Sequence, residues 1–144
     1  MTPEAPSVTP ETLVAEARRI LAHAHAPYSR FPVGAALLGE SGRVYLAVNV
    51  ENASYGLSVC AERSAVFAAV AAGEKRFQAL AVATDTPEPT PPCGACRQVL
   101  REFMSDLPVH LAGRTGAIVT RRLSELLPYA FSPPVEGRDR GFTA

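Results

Sequence analysis

The chain has 144 residues, 47% hydrophobic and 19% charged, and its 14 basic and 14 acidic side chains give a formal net charge of zero. That length suits one domain around a single core and excludes a second catalytic domain. A neutral balance offers no global field to draw the protein onto a phosphate backbone, and no apolar run approaches the roughly 20 residues of a membrane span.

In chain order, Thr9-Pro10-Glu11 reads as a helix start. Thr9 can cap, Pro10 suits the first helical position, and Glu11 favours the positive end of the dipole. Apolar positions at Leu13, Ala17, Ile20, Leu21 and Ala24 recur with helical period until Pro27 ends the helix near residue 25. Residues 33–38 and 44–50 read as two strands of a hairpin joined by a tight turn at 40–43. Side chains alternate along a strand, so Asn49 and Glu51 point together.

An alanine-rich second helix covers 60–72, stopped by Gly73, and a third strand covers 77–84. Residues 85–92 hold four prolines. This rigid loop delivers Cys93 to a third helix at 94–105. Short strands at 109–111 and 117–120 and a short helix at 123–127 complete the pattern. The order predicts a three-layer α/β sandwich, with a central mixed five-stranded sheet and helices on both faces. One domain is expected over 1–144, with 1–8 and 133–144 as loose tails. Residues 1–8 lack the basic and apolar regions of a secretory signal, so a cytoplasmic protein is expected.

The three cysteines carry the chemistry. An odd number cannot close a set of internal disulfides, and Cys93-Gly94-Ala95-Cys96 has the spacing of a metal clip. Cys60 opens the second helix and Cys93 and Cys96 open the third, so all three thiols meet helix N-termini, which lower a thiol pKa. Three protein ligands, with water in the fourth position, are the pattern of catalytic zinc. His23 and His25 lie about 200° apart around a helix end and read as solvated, whereas His110 reads as a hydrogen-bonded strand histidine rather than a fourth ligand.

Glu62 lies two residues after Cys60, and both reach one ion if it sits off the helix end. Taken alone, Glu62 complements the dipole; beside three thiolates it reads as the general acid and base. Arg63 is placed to donate to the thiolates and draw charge off them, with Arg97 a weaker candidate.

Cys60-Ala61-Glu62-Arg63 together with Pro92-Cys93-Gly94-Ala95-Cys96 resembles the signature of zinc nucleobase and nucleoside deaminases. Cysteine stands where polynucleotide deaminases usually carry a histidine ligand, which points to free nucleosides. Three further segments resemble the homotetrameric cytidine deaminases: Tyr28-Ser29-Arg30-Phe31-Pro32-Val33-Gly34-Ala35-Ala36-Leu37, Asn49-Val50-Glu51-Asn52-Ala53-Ser54-Tyr55, and Leu126-Leu127-Pro128-Tyr129-Ala130-Phe131. No motif is matched in 106–122 or beyond Phe131.

The resemblance implies zinc on Cys60, Cys93 and Cys96 and a proton shuttle at Glu62. It further implies Phe31 against the pyrimidine, Asn49 and Glu51 on the ribose, backbone contacts to the base from Ala61, and a homotetramer in which Tyr55 and Phe131 complete a neighbour's site. The expected reaction is hydrolytic deamination of cytidine and 2′-deoxycytidine. The rivals are a blasticidin-type deaminase of another aminopyrimidine nucleoside, a non-catalytic zinc module closed by His110 or by a residue from outside the chain, and a nucleic-acid editor, the last disfavoured by neutral charge and the missing histidine ligand.

Overall fold

The computed structural model of the chain describes residues 7–132. Helix α1, Pro10–Ile20, starts at Thr9, whose hydroxyl accepts from the Thr12 amide while the Thr12 hydroxyl accepts from the Thr9 amide. The helix tightens into one 3₁₀ turn, Leu21–His23, where the sequence places the last helical turn. Strands β1, Val33–Gly39, and β2, Val44–Val48, form the expected hairpin.

Helix α2, Ala61–Ala71, has Cys60 as its N-cap residue, and helix α3, Gly94–Phe103, has Cys93 in the same role. Between them lies β3, Phe77–Thr84, with the bounds its sequence pattern predicts. Strands β4, Pro108–Ala112, and β5, Val119–Arg122, precede a single-turn helix α4, Leu123–Leu126.

The five strands form one mixed sheet in the order β2-β1-β3-β4-β5. Strand β1 is antiparallel to both β2 and β3, so β2 and β3 run the same way, and α2 crosses over β1 to join them. Strands β3 and β4 pair in parallel through α3. Both helical connections are therefore parallel crossovers, as the alternation of helices and strands requires.

Strand alternation sorts the core into two layers. Ala35, Leu37, Leu80, Val82, Val109 and Leu111 pack against α2 and α3, whereas Ala36, Leu38, Ala79, Ala81, Ala83 and Ala112 pack against α1. The small residues under α1 let the helix lie close. At Gly34 a Cβ would come 2.1 Å from the Ala17 carbonyl oxygen, so a residue without a side chain is required there. Of the stretches expected to be loose, 1–6 and 133–144 lie outside the described residues, while Val8 packs against the layer beneath α1. Among the described residues no helix is long and apolar enough to cross a membrane.

Candidate metal and nucleoside site

The two crossover helices start at the same end of the sheet, beyond the carboxyl ends of β2 and β3, where open α/β sheets bind ligands. A second device brings the β2 side to the same place. After β2 the chain makes an isolated antiparallel bridge, with Val50 and Val59 exchanging both backbone hydrogen bonds at 3.0 Å. Asn49 and Glu51, flanking Val50, are thereby set beside Cys60, which follows Val59.

The three sulfurs converge. Cys60 Sγ lies 3.8 Å from Cys93 Sγ, Cys93 Sγ lies 3.4 Å from Cys96 Sγ, and all three fall within 4.8 Å of one another. A tetrahedral zinc with bonds of about 2.3 Å holds its sulfurs about 3.8 Å apart, so these residues fit that ion with little movement. Among the described residues no histidine or carboxylate joins the group. His110 is buried on the α1 side of the sheet, its Nδ1 bonded at 2.8 Å to Thr120 Oγ1, far from the role of a fourth ligand.

Electrostatics follow from the clustering. A hydrogen bond from the Cys96 thiol, with help from the Arg63 guanidinium, pulls the Cys60 thiol down to about 5, and the same close neighbour pushes Cys96 up. Arg63 Nη2 donates to Cys60 Sγ at 3.5 Å, as its position predicts. Arg97 instead spends its Nε on the Pro92 carbonyl at 2.8 Å and an Nη on the Leu126 carbonyl at 2.6 Å, tying the cysteine loop to α4. Glu62, 4% exposed, has its carboxyl pushed above the usual range, by burial first and by the Cys60 sulfur in the same direction.

A cavity of about 410 Å³ opens over this cluster, within the range of small-molecule sites. Cys60, Ala61, Glu62 and Cys93 form its floor; Phe31, Val33, Asn49 and Glu51 form one wall. The lining is completed by Val82, Thr84 and the proline loop at Thr90, Pro91 and Pro92, with Thr84 paired to Val33 across the strands. Asn49 and Glu51 do share this cavity. Asn49 also braces it, accepting the Val33 amide at 2.9 Å and donating to the Phe31 carbonyl at 2.8 Å. Glu51 accepts the Tyr28 and Ser29 amides, each at 3.0 Å, and the Ser29 hydroxyl, and these bonds, the hydroxyl first, hold its carboxyl below the usual range.

Tyr55 and Phe131 lie apart from this cavity. Tyr55 is 74% exposed and lines a separate hollow of about 250 Å³ with Tyr28, Ser29, Glu51 and Ser58. Phe131 is 73% exposed, its carbonyl accepting from Gln98 Nε2 at 3.2 Å. Sequence reasoning missed Ser29 and Thr90 as lining residues. The first was visible inside the Tyr28-Ser29-Arg30-Phe31 segment, which it read for its phenylalanine alone. Thr90 sits among prolines that declare a loop without showing what the loop faces.

Comparison with known proteins agrees with this geometry. The family model described as the cytidine and deoxycytidylate deaminase zinc-binding region matches residues 7–110. A cytidine deaminase of Sporosarcina psychrophila is 50% identical over 123 residues, 85% of this chain and 90% of the relative. One of Mycobacterium tuberculosis is 44% identical over 131 residues, 88% of this chain and 92% of the relative. Among solved structures, the cytidine deaminase of Burkholderia pseudomallei superposes with a TM-score of 0.81 at 46% identity, covering 86% of this chain and all of that one (100%). The Mycobacterium tuberculosis enzyme gives 0.77 at 42% identity, covering 88% of this chain and 99% of that one.

Proposed function

This chain belongs to the cytidine and deoxycytidylate deaminase family, and from that premise we propose that it hydrolyses the exocyclic amine of free cytidine and 2′-deoxycytidine to give uridine or 2′-deoxyuridine and ammonia. The observation that carries the reading is the buried Glu62 carboxyl beside three convergent sulfurs, on the floor of a cavity walled by Phe31, Asn49 and Glu51.

Cys60, Cys93 and Cys96 would hold the zinc, which when bound supplies a Lewis acid that lets water ionise near neutral pH. Glu62 takes one proton from the attacking water at a carboxylate oxygen and delivers it to ring N3 as oxygen joins C4. It takes the second to the amine, which leaves as ammonia when the C4–N bond breaks. Burial raises the carboxyl's affinity for the proton, matching it to both halves of that transfer. Arg63, donating to Cys60, tempers the negative charge of the three sulfurs.

Phe31 offers a ring face to the pyrimidine, and Ala61, fully buried at the first turn of α2, offers backbone to its polar edge. Asn49 spends Oδ1 and one amide hydrogen on the loop, and its second amide hydrogen is left for a sugar hydroxyl. Glu51 supplies an acceptor for another. The same reading places the enzyme in cytoplasmic pyrimidine salvage as a homotetramer, with Tyr55 and Phe131 completing a neighbour's site. The exposure of both rings outside their own chain's main cavity supports that arrangement.

Ammonia release from cytidine and 2′-deoxycytidine by the zinc-loaded protein tests the reading, with Glu62→Ala as a control that keeps its metal. Turnover that vanishes in the variant supports it. Release from other aminopyrimidine nucleosides alone favours the blasticidin-type activity, and no release from any leaves a non-catalytic zinc module.

A further inference from the structure

The loop that carries Phe31 is held in an unusual shape by a carboxylate already assigned to the sugar. Arg30, between Ser29 and Phe31, adopts φ 56°, a left-handed conformation that a residue with a side chain rarely takes unless its surroundings impose it. Ser29 supplies the constraint on both sides. Its hydroxyl donates to Glu51 Oε2 and accepts the Phe31 amide at 3.0 Å, closing a chain from carboxylate to hydroxyl to the backbone of the aromatic residue. Asn49 fixes the far end of the same segment through the Phe31 carbonyl. Among the described residues, Ser29 is therefore the hydroxyl that touches both the sugar-facing carboxylate and the residue that faces the base.

We propose that Ser29 is a positioning residue that couples sugar recognition by Glu51 to the placement of Phe31, so that the base face is set correctly only when the Glu51–Ser29–Phe31 chain is intact. The inference rests on the nucleoside deaminase reading. A serine suits this place because one hydroxyl both donates and accepts. Alanine removes both bonds, whereas threonine keeps them and adds a methyl group at an exposed position.

The test is steady-state kinetics on cytidine with the zinc-loaded protein, for Ser29→Ala, Ser29→Thr, Glu51→Ala and the Ser29→Ala/Glu51→Ala double variant. Loss of the two hydrogen bonds corresponds to about a tenfold or greater rise in KM for Ser29→Ala. The expected kcat stays within about twofold, and Ser29→Thr returns KM towards wild type. In the Glu51→Ala background the serine substitution adds less than about twofold, because the chain from carboxylate to Phe31 is already cut and the remaining bond to the Phe31 amide is no longer anchored. Additive losses overturn the coupling, as does a Ser29→Ala variant equal to wild type or a defect that threonine fails to repair. Wild-type protein inactive on cytidine and deoxycytidine removes the functional reading and this inference with it; wild-type turnover with additive losses removes the inference alone.

Discussion

A carboxyl at 4% exposure has few ways to stay charged, and burial, the largest influence on Glu62, favours its protonated form. That setting fits a residue that must alternate between holding and releasing a proton. Replacing it with glutamine preserves shape and hydrogen bonding but not the proton, so kcat is expected to fall by about 10²–10⁴-fold with zinc content unchanged, measured by ammonia release and metal analysis. His110 illustrates the opposite use of burial. It faces α1, across the strand pair from Thr120, and desolvation lowers its pKa below that of a free histidine, with the Glu11 carboxylate acting against the shift. The unfolded chain then takes up the proton more readily than the folded one. Stability held at neutral pH is lost as pH falls from about 6.5 through the lower folded value. Denaturant unfolding at pH 8 and pH 5.5 should show a smaller acid loss in His110→Gln than in wild type.

At the level of elements, the site depends on where helices begin. Cys60 and Cys93 stand at N-cap positions with extended backbone, and neither helix has a side-chain cap, so the thiols lie where the helix dipoles favour negative charge. This was legible in the chain, since alanine-rich and proline-rich runs mark where α2 and α3 start. Less legible was the bridge between Val50 and Val59, which ends β2 earlier than its alternation suggests and turns residues 51–58 outward before Cys60. A single bridging pair leaves no periodic trace in a sequence. Helix α1 reaches the site indirectly, because the His25 amide donates to the Asn49 carbonyl at 3.0 Å and the Glu51 amide to the His25 carbonyl at 2.8 Å. Gly34→Ala would drive a methyl group into the Ala17 carbonyl and push α1 off the sheet. The expected cost is about 1–3 kcal/mol of stability, read by denaturant unfolding, with Gly42→Ala as a comparison that meets no neighbouring atoms but pays for its positive φ.

The whole molecule carries apolar surface that one chain does not use. Tyr55, Leu57 and Phe131 are 74%, 67% and 73% exposed, and the outer face of α2 shows Phe67 and Val70. Exposed apolar side chains of this size mark interaction surfaces where they cluster. The proposed tetramer predicts a solution mass four times the 15.3 kDa of one chain, measured by light scattering. It also predicts complementation: Glu62→Ala subunits mixed with Phe131→Ala subunits should regain activity that neither has alone, because an intact Phe131 can serve a site whose own chain keeps Glu62. Mixtures no better than the sum of their parts would sink the shared-site arrangement.

By itself the sequence determined the strand and helix order, the two-layered core, the cysteine set, Glu62, and the shared face of Asn49 and Glu51. Each of these was marked by a local signal: periodicity, caps and short spacings identify the elements and place Cys93 with Cys96, Cys60 with Glu62 and Asn49 with Glu51. Only the tertiary structure decided that β1 lies between β2 and β3, so that two helix starts and the end of β2 meet at one cavity. It also decided that Arg97 braces α4 instead of the sulfurs and that Glu51 reaches back to Ser29, because those bonds join residues 29 and 22 positions apart. Contacts of that span depend on how the sheet closes, and no local pattern encodes them.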